Sequence, residues 1–218
     1  MQSKDKAYDV LRQRLVGGHY SPGTQLKEEP IAEELGLSRT PVRAALKRLV
    51  DEGLATSSDG QGIRVSRWND RDIEETYQLR MLLEPYAASS AATRCDATLV
   101  LELEACNKDM DRAIRRGGVD SLVDVQQANR RFHRALLNAA GSPRLRLMLE
   151  AIVDLPILVR SFYVYTADDL LQSLHHHREL TVAVGAHDAE LARLLMQLHL
   201  KVAHLRFMKH RNEYARTQ

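Results

Sequence analysis

Hydrophobic positions along this chain follow two regimes. Up to about residue 68, short helical stretches alternate with glycine turns and end in a short alternating segment. In residues 5 to 16, Ala7, Val10, Leu11, Leu15 and Val16 recur at helical intervals until Gly17 and Gly18 stop them. Pro22 and Gly23 mark a turn, and Leu26 brings the chain back to the core. The pattern then predicts a helix from about Glu29 to Leu35, a tight turn at Gly36, and a third helix starting near Thr40. Ser38 or Thr40 suits its cap, and Pro41 suits its first turn, where a missing N–H costs nothing. Ala55-Thr56, the polar tip SSDGQG and Ile63-Arg64-Val65 then predict a small hairpin.

Beyond Ser66-Arg67-Trp68-Asn69-Asp70 the strand signals vanish. Helical periodicity fills 70 to 93, with a break or kink at Pro85, then 97 to 116, 120 to 140, 143 to 166, 168 to 185 and 188 to 212. The expected fold is therefore mainly α: a winged helix-turn-helix over residues 1–68, followed by an antiparallel all-α bundle over 69–218.

Composition narrows the class. With 218 residues, 44% of them hydrophobic, the chain can bury two ordinary cores. Its two cysteines, Cys95 and Cys106, form no metal-type pair, and no apolar run reaches the roughly 18 residues of a membrane span. A cytoplasmic protein without membrane contact is the expectation. Net charge is only +2, so overall charge does not announce a nucleic-acid partner. Local placement does: Arg39, Arg43, Lys47 and Arg48 fall within ten residues that contain no acid. In the third helix Val42, Ala45, Leu46, Leu49 and Val50 form the buried stripe. Arg39, Thr40, Arg43, Ala44 and Lys47 are left to face outward toward a DNA major groove.

Eight of the nine histidines lie beyond residue 130. His133 shares a face with Val125, Leu136 and Ala140, His177 with Leu170, Leu174, Thr181 and Val184, and His199 with Ala192, Leu195 and Val202. These three point into the bundle, whereas His175, His176, His187, His204 and His210 need not. Asn129 sits one turn before His133 on the same face. Three buried imidazoles leave many polar atoms to satisfy, and a divalent cation would satisfy them together. Spacing alone leaves a metal site and a metal-free histidine cluster equally open.

Two resemblances sharpen this. YSPGTQL, LGLSRTPVRAALKRLVDEGLA and GQGIRV resemble the winged helix of GntR-type bacterial transcription regulators. That resemblance implies DNA contact by Arg39, Thr40 and Arg43, with Gly60 and Gly62 in the wing; Lys47 on the same outward face and Gln61 between the wing glycines complete the candidate DNA-binding set. Ala44 and Gln61 depart from the family's usual Glu and Arg. NRRFHRALLNAAGSPRL, HHHRELTVAV and AELARLLMQLHLKVAH resemble the FCD-type effector domain of the FadR subgroup. Many members bind a metal through an Asp and three His, which here correspond to Asn129, His133, His177 and His199. The resemblance implies zinc or nickel, with manganese as a further choice, a small carboxylate effector, a homodimer and a pseudo-palindromic operator. Arg80 is a candidate anchor for the effector's carboxylate, or simply a partner for Glu84 one turn on. Arg160, Tyr163 and Tyr165, on the helix expected after Pro156, are candidate cavity residues, with aromatic core packing as the default reading of the tyrosines. An alternative keeps the regulator with a metal-free effector site; another is a helical metalloenzyme fused to a DNA-binding head. No acidic residue is placed by spacing as a general base near the three histidines, which argues against an enzyme.

Overall fold

Helices α1 (Ser3–Val16), α2 (Glu28–Leu35) and α3 (Arg39–Asp51) are followed by strands β1 (Ala55–Ser58) and β2 (Gly62–Val65). The computed structural model describes residues 3–16, 19–58, 60, 62–67, 69–153 and 165–216. One compact unit runs to Asp70, the first residue of the fourth helix, and the other begins at Arg71 and takes the rest of that helix.

In the first unit, Ala7, Leu11 and Leu15 of α1 share a core with Val42, Leu46 and Leu49 of α3. At the rim of that core the Arg48 guanidinium lies 3.6 Å over the Tyr8 ring, and the Tyr8 hydroxyl donates to Glu52 at 2.5 Å. Helix α2 ends because Gly36 takes a left-handed conformation (φ 63°) that turns its N–H back onto Ala32 and Glu33. Two residues later α3 begins. Ser38 holds the N-cap position with extended backbone but makes no side-chain capping bond, so the start at Arg39 rests on Pro41 in the first turn and on packing. The strands pair antiparallel, Ala55 opposite Val65 and Ser58 opposite Gly62, and Gln25 adds a bridge to Arg64 along the open edge.

The second unit contains α4 (Asp70–Thr93), α5 (Ala97–Arg116), α6 (Val119–Ala139), α7 (Pro143–Val153), α8 (Ala167–Gly185) and α9 (Ala189–Arg216). Connections of two or three residues between most neighbours force the chain to reverse, as an up-and-down bundle requires. Alanines 88, 91 and 92 of α4 let it approach closely, and its core also takes Leu103, Phe132, Leu136, Leu180 and Leu200. Of the break or kink expected at Pro85, the break is absent: α4 is one helix through the proline, held by core packing on both sides of it.

Of the helix expected over 143 to 166, only the end at 165 and 166 is corrected. Helix α7 reaches Val153, residues 154–164 lie outside the described residues, and Tyr165 and Thr166 are non-helical. Thr166 instead caps α8: its hydroxyl accepts from Asp169 N–H while the Asp169 carboxylate accepts from Thr166 N–H. This reciprocal box stops helical phasing at that point. Among the described residues no helix is long and apolar enough to cross a membrane.

Leu46 is fully buried in the core that α1 and α3 share. Leu46→Ala is expected to cost about 2–5 kcal/mol, read as a lower urea midpoint with unchanged slope. A change below about 0.5 kcal/mol would contradict the packing described.

Candidate nucleic-acid interface and histidine centre

The outward face of α3 is as the periodicity requires: Arg39, Thr40, Arg43, Ala44 and Lys47 are exposed while Val42, Ala45, Leu46 and Leu49 are buried. In the wing, Gly60 and Gly62 adopt positive φ (76° and 72°), a backbone that side-chain-bearing residues rarely take. Gln61 lies outside the described residues. The recognition face is not acid-free, however. Glu28 and Glu29, in the first turn of α2, reach Arg43 and Arg39. The Arg43 contact is a fork, with Nε donating to Glu28 at 2.8 Å and Nη2 at 2.8 Å. A count along residues 39–48 misses these acids because they come from a neighbouring helix.

Histidines 133, 177 and 199, one each from α6, α8 and α9, are all buried. Their ring centroids lie 5.3 Å (133–177), 5.2 Å (133–199) and 4.8 Å (177–199) apart. One nitrogen from each falls within 4.8 Å of the others. The His177 ring is stacked flat on Phe132 at 4.0 Å, which fixes its plane. Nε2 of His133, both nitrogens of His177 and Nδ1 of His199 have no hydrogen-bond partner among the described residues. Orphaned buried nitrogens of this kind are costly, and a cation binding imidazoles at about 2 Å is the economical way to satisfy several at once. Burial, followed by the neighbouring histidines, pushes the pKa of His177 and of His199 well below the usual histidine value. Both rings are therefore neutral, with lone pairs to give. The three residues fit a metal ion.

Behind His133 stands Glu84, which the sequence pattern did not place there. Its Oε2 lies 2.7 Å from His133 Nδ1, and its Oε1 accepts from Arg80 Nε at 2.5 Å. Burial alone would raise this carboxyl, but attraction to Arg80 and His133 and the hydrogen bonds to both outweigh it and hold the pKa at about 2. An ionised carboxylate only accepts, so the shared proton sits on His133 Nδ1. In the neutral ring the lone pair is then on Nε2, the orphaned atom. Spacing places no acid as a general base near these histidines, and Glu84 reaches His133 from a separate helix. Glu84 still makes no general base, because both oxygens are engaged and its basicity is low.

Arg80 is buried in this ion pair with Glu84, one turn on along α4. Asn129 is half-buried on α6 one turn before His133; an amide oxygen can ligate but brings no charge. Arg160 and Tyr163 lie outside the described residues. His176 and His204, which the periodicity did not single out, are buried too. His176 sits 5.8 Å from His199, and His204 stacks on Tyr77 at 4.8 Å. Both α8 and α9 bury more than a single stripe, and helical spacing marks only its centre.

A model of the bacterial regulatory proteins of the gntR family matches residues 3–65, and a model of the FCD domain matches residues 75–202. The uncharacterised HTH-type transcriptional regulator YdhC of Bacillus subtilis is 27% identical over 193 residues, covering 88% of this chain and 85% of its own. The HTH-type transcriptional repressor GlaR of Escherichia coli is 27% identical over 207 residues, 88% of this chain and 90% of its own. Among solved structures, Escherichia coli McbR/YncC superposes with a TM-score of 0.78 at 24% identity, over 95% of this chain and 99% of that one. At that identity the likeness speaks for the fold.

The depressed pKa values set a pH dependence. A histidine buried neutral takes up a proton only on unfolding, so the unfolded state binds more protons as pH falls below about 6.5 and stability drops. The Glu84 contribution is present above its ordinary value of 4.5 and is lost as pH falls toward about 2. Both act in one direction. Urea midpoints of chelator-treated protein should fall from pH 7.5 to pH 5, by up to about 1.4 kcal/mol per pH unit for each buried histidine. A flat profile over that range would contradict neutral burial of His177 and His199.

Proposed function

The chain belongs to the GntR family of bacterial regulatory proteins and carries an FCD domain behind its reading head, and we propose that its operator affinity is set by a small organic acid bound at a metal in the histidine centre. As a member of that family it is a DNA-binding transcription regulator, and the relatives named above are regulators rather than enzymes. The observation that carries the effector reading is the buried trio His133, His177 and His199 with Glu84 behind it. Among the described residues four nitrogens of this trio have no hydrogen-bond partner, a cost that a shared ligand would lower.

In this reading His133, His177 and His199 hold the ion, with Asn129 as the fourth donor, and Glu84 orients His133. Imidazole donors suit zinc or nickel, with manganese as a further choice. A divalent cation with open positions supplies an anchor for a carboxylate. Arg80, though paired with Glu84, is the candidate second anchor for such an anion, and Arg160 and Tyr163 are candidate cavity residues. The effector acts by population shift, favouring one arrangement of the paired reading heads by about 1–3 kcal/mol. The protein works in the bacterial cytoplasm on duplex DNA, with Arg39, Thr40, Arg43 and Lys47 on the groove and Gly60, Gln61 and Gly62 in the wing.

Reading a pseudo-palindromic operator requires two copies. Two apolar stripes support a homodimer. On α4, Leu79, Leu82 and Tyr86 are exposed at helical spacing, and on α9 so are Leu191, Leu194, Leu198 and Leu205. Leucines in such rows are out of place against water and suit burial against a second copy.

Elemental analysis of gently purified protein should find about one divalent ion per chain, and Glu84→Gln should weaken its binding about 10- to 100-fold. Absence of metal, with no melting shift on adding zinc, nickel or manganese, would leave a metal-free acid site as the surviving reading. In a melting screen of small carboxylic acids, at least one should raise the midpoint of the metal-loaded protein and change its DNA affinity. A Leu82→Glu/Leu198→Glu variant should sediment as a monomer where the parent sediments at twice the chain mass; an unchanged dimer would place the interface elsewhere.

A further inference from the structure

Whether Arg43 reads a base or holds a phosphate is not decided by its position on the helix; the way its guanidinium is held decides it. Arginine has five N–H donors arranged along three edges. Glu28 takes one edge: Nε donates to Oε1 at 2.8 Å and to Oε2 at 3.0 Å, and Nη2 donates to Oε2 at 2.8 Å. The distal edge, formed by Nη1 and the second N–H of Nη2, carries no such bond in this fork. Two parallel donors there match the O6 and N7 acceptors of guanine. Arg39 differs. It approaches Glu29 through Nη2, and the Glu29 side chain is 74% exposed against 29% for Glu28.

We propose that Glu28 is a positioning residue for DNA reading: it clamps the Nε–Nη2 edge of Arg43, aims the Nη1–Nη2 edge at a guanine, and makes Arg43 a base reader rather than a phosphate clamp. This rests on the regulator reading above and adds the residue that sets specificity at one operator position. Two physical consequences support the assignment. A clamped guanidinium has fewer rotamers to lose on docking, and its planar fork is already aligned. The carboxylate also cancels the charge that would attract Arg43 to any phosphate and itself repels the backbone. Sequence-independent affinity is therefore lowered while the guanine contact is kept. As an exposed ion pair it contributes little to the fold, so its geometry is free to serve recognition.

The test uses the full chain and a random duplex library, with poly(dA)·poly(dT) as the sequence-neutral probe. The wild type should select one strongly preferred guanine per half-site that Arg43→Ala no longer selects. Glu28→Gln should lose that same preference, by about 5- to 100-fold at that position. It should bind poly(dA)·poly(dT) as well as the wild type or better, with a salt slope steeper by about one charge. Its melting midpoint should stay near the parent's, which separates loss of reading from loss of folding. Glu28→Gln selecting the parent's guanine undiminished would overturn the proposal, as would equal tightening on selected and neutral duplexes, the mark of a phosphate contact. If the wild type itself selects no sequence, the regulator reading fails at its first step, a different result from a selective parent whose Glu28→Gln variant keeps the preference.

Discussion

An imidazole in the middle of a helical bundle is expensive unless something takes up its nitrogens, and this chain places three there, with His177 fully buried. Each unsatisfied buried donor or acceptor costs about 1–3 kcal/mol, a large share of a domain's stability of about 5–15 kcal/mol. Four elements are arranged around that cost. Helix α4 brings Glu84 and Arg80, α6 brings His133 and the Phe132 wall, and α8 and α9 bring His177 and His199. A core meant only for stability would hold leucines at these positions.

Charge accounting around the centre explains why an anion is the proposed effector. Glu84 is ionised, but Arg80 beside it cancels its charge. Asn129, in the position where the family resemblance implies Asp, adds none. A divalent cation held by neutral imidazoles would keep most of its charge unbalanced, and a low-dielectric surround magnifies that. A carboxylate entering the site would supply what the protein withholds. Glu84 would thus orient His133 without neutralising a bound ion.

The reading head handles charge the opposite way, on the surface and in pairs. Glu28 and Glu29 face Arg43 and Arg39 across the turn at Gly36. A bare cluster of arginines would bind any duplex; pairing them trades general affinity for orientation. In both units the telling residue is an acid that contacts no proposed ligand itself and holds the group that does.

Local pattern alone determined a good deal: the stripe of α3, the glycine turn before it, the hairpin, the limits of α5 and the inward direction of His133, His177 and His199. Each follows from a period of 3.6 or 2 and from turn chemistry acting over a few residues. Tertiary structure alone decided what those faces meet. Glu84 and His133 are 49 residues apart, and Arg43 and Glu28 are 15 apart on different helices. His176 and His204 are buried because their helices are packed on more than one side. Periodicity gives the direction in which a side chain leaves its helix. Which partner waits there depends on how the helices pack, and that is settled only when the whole core closes.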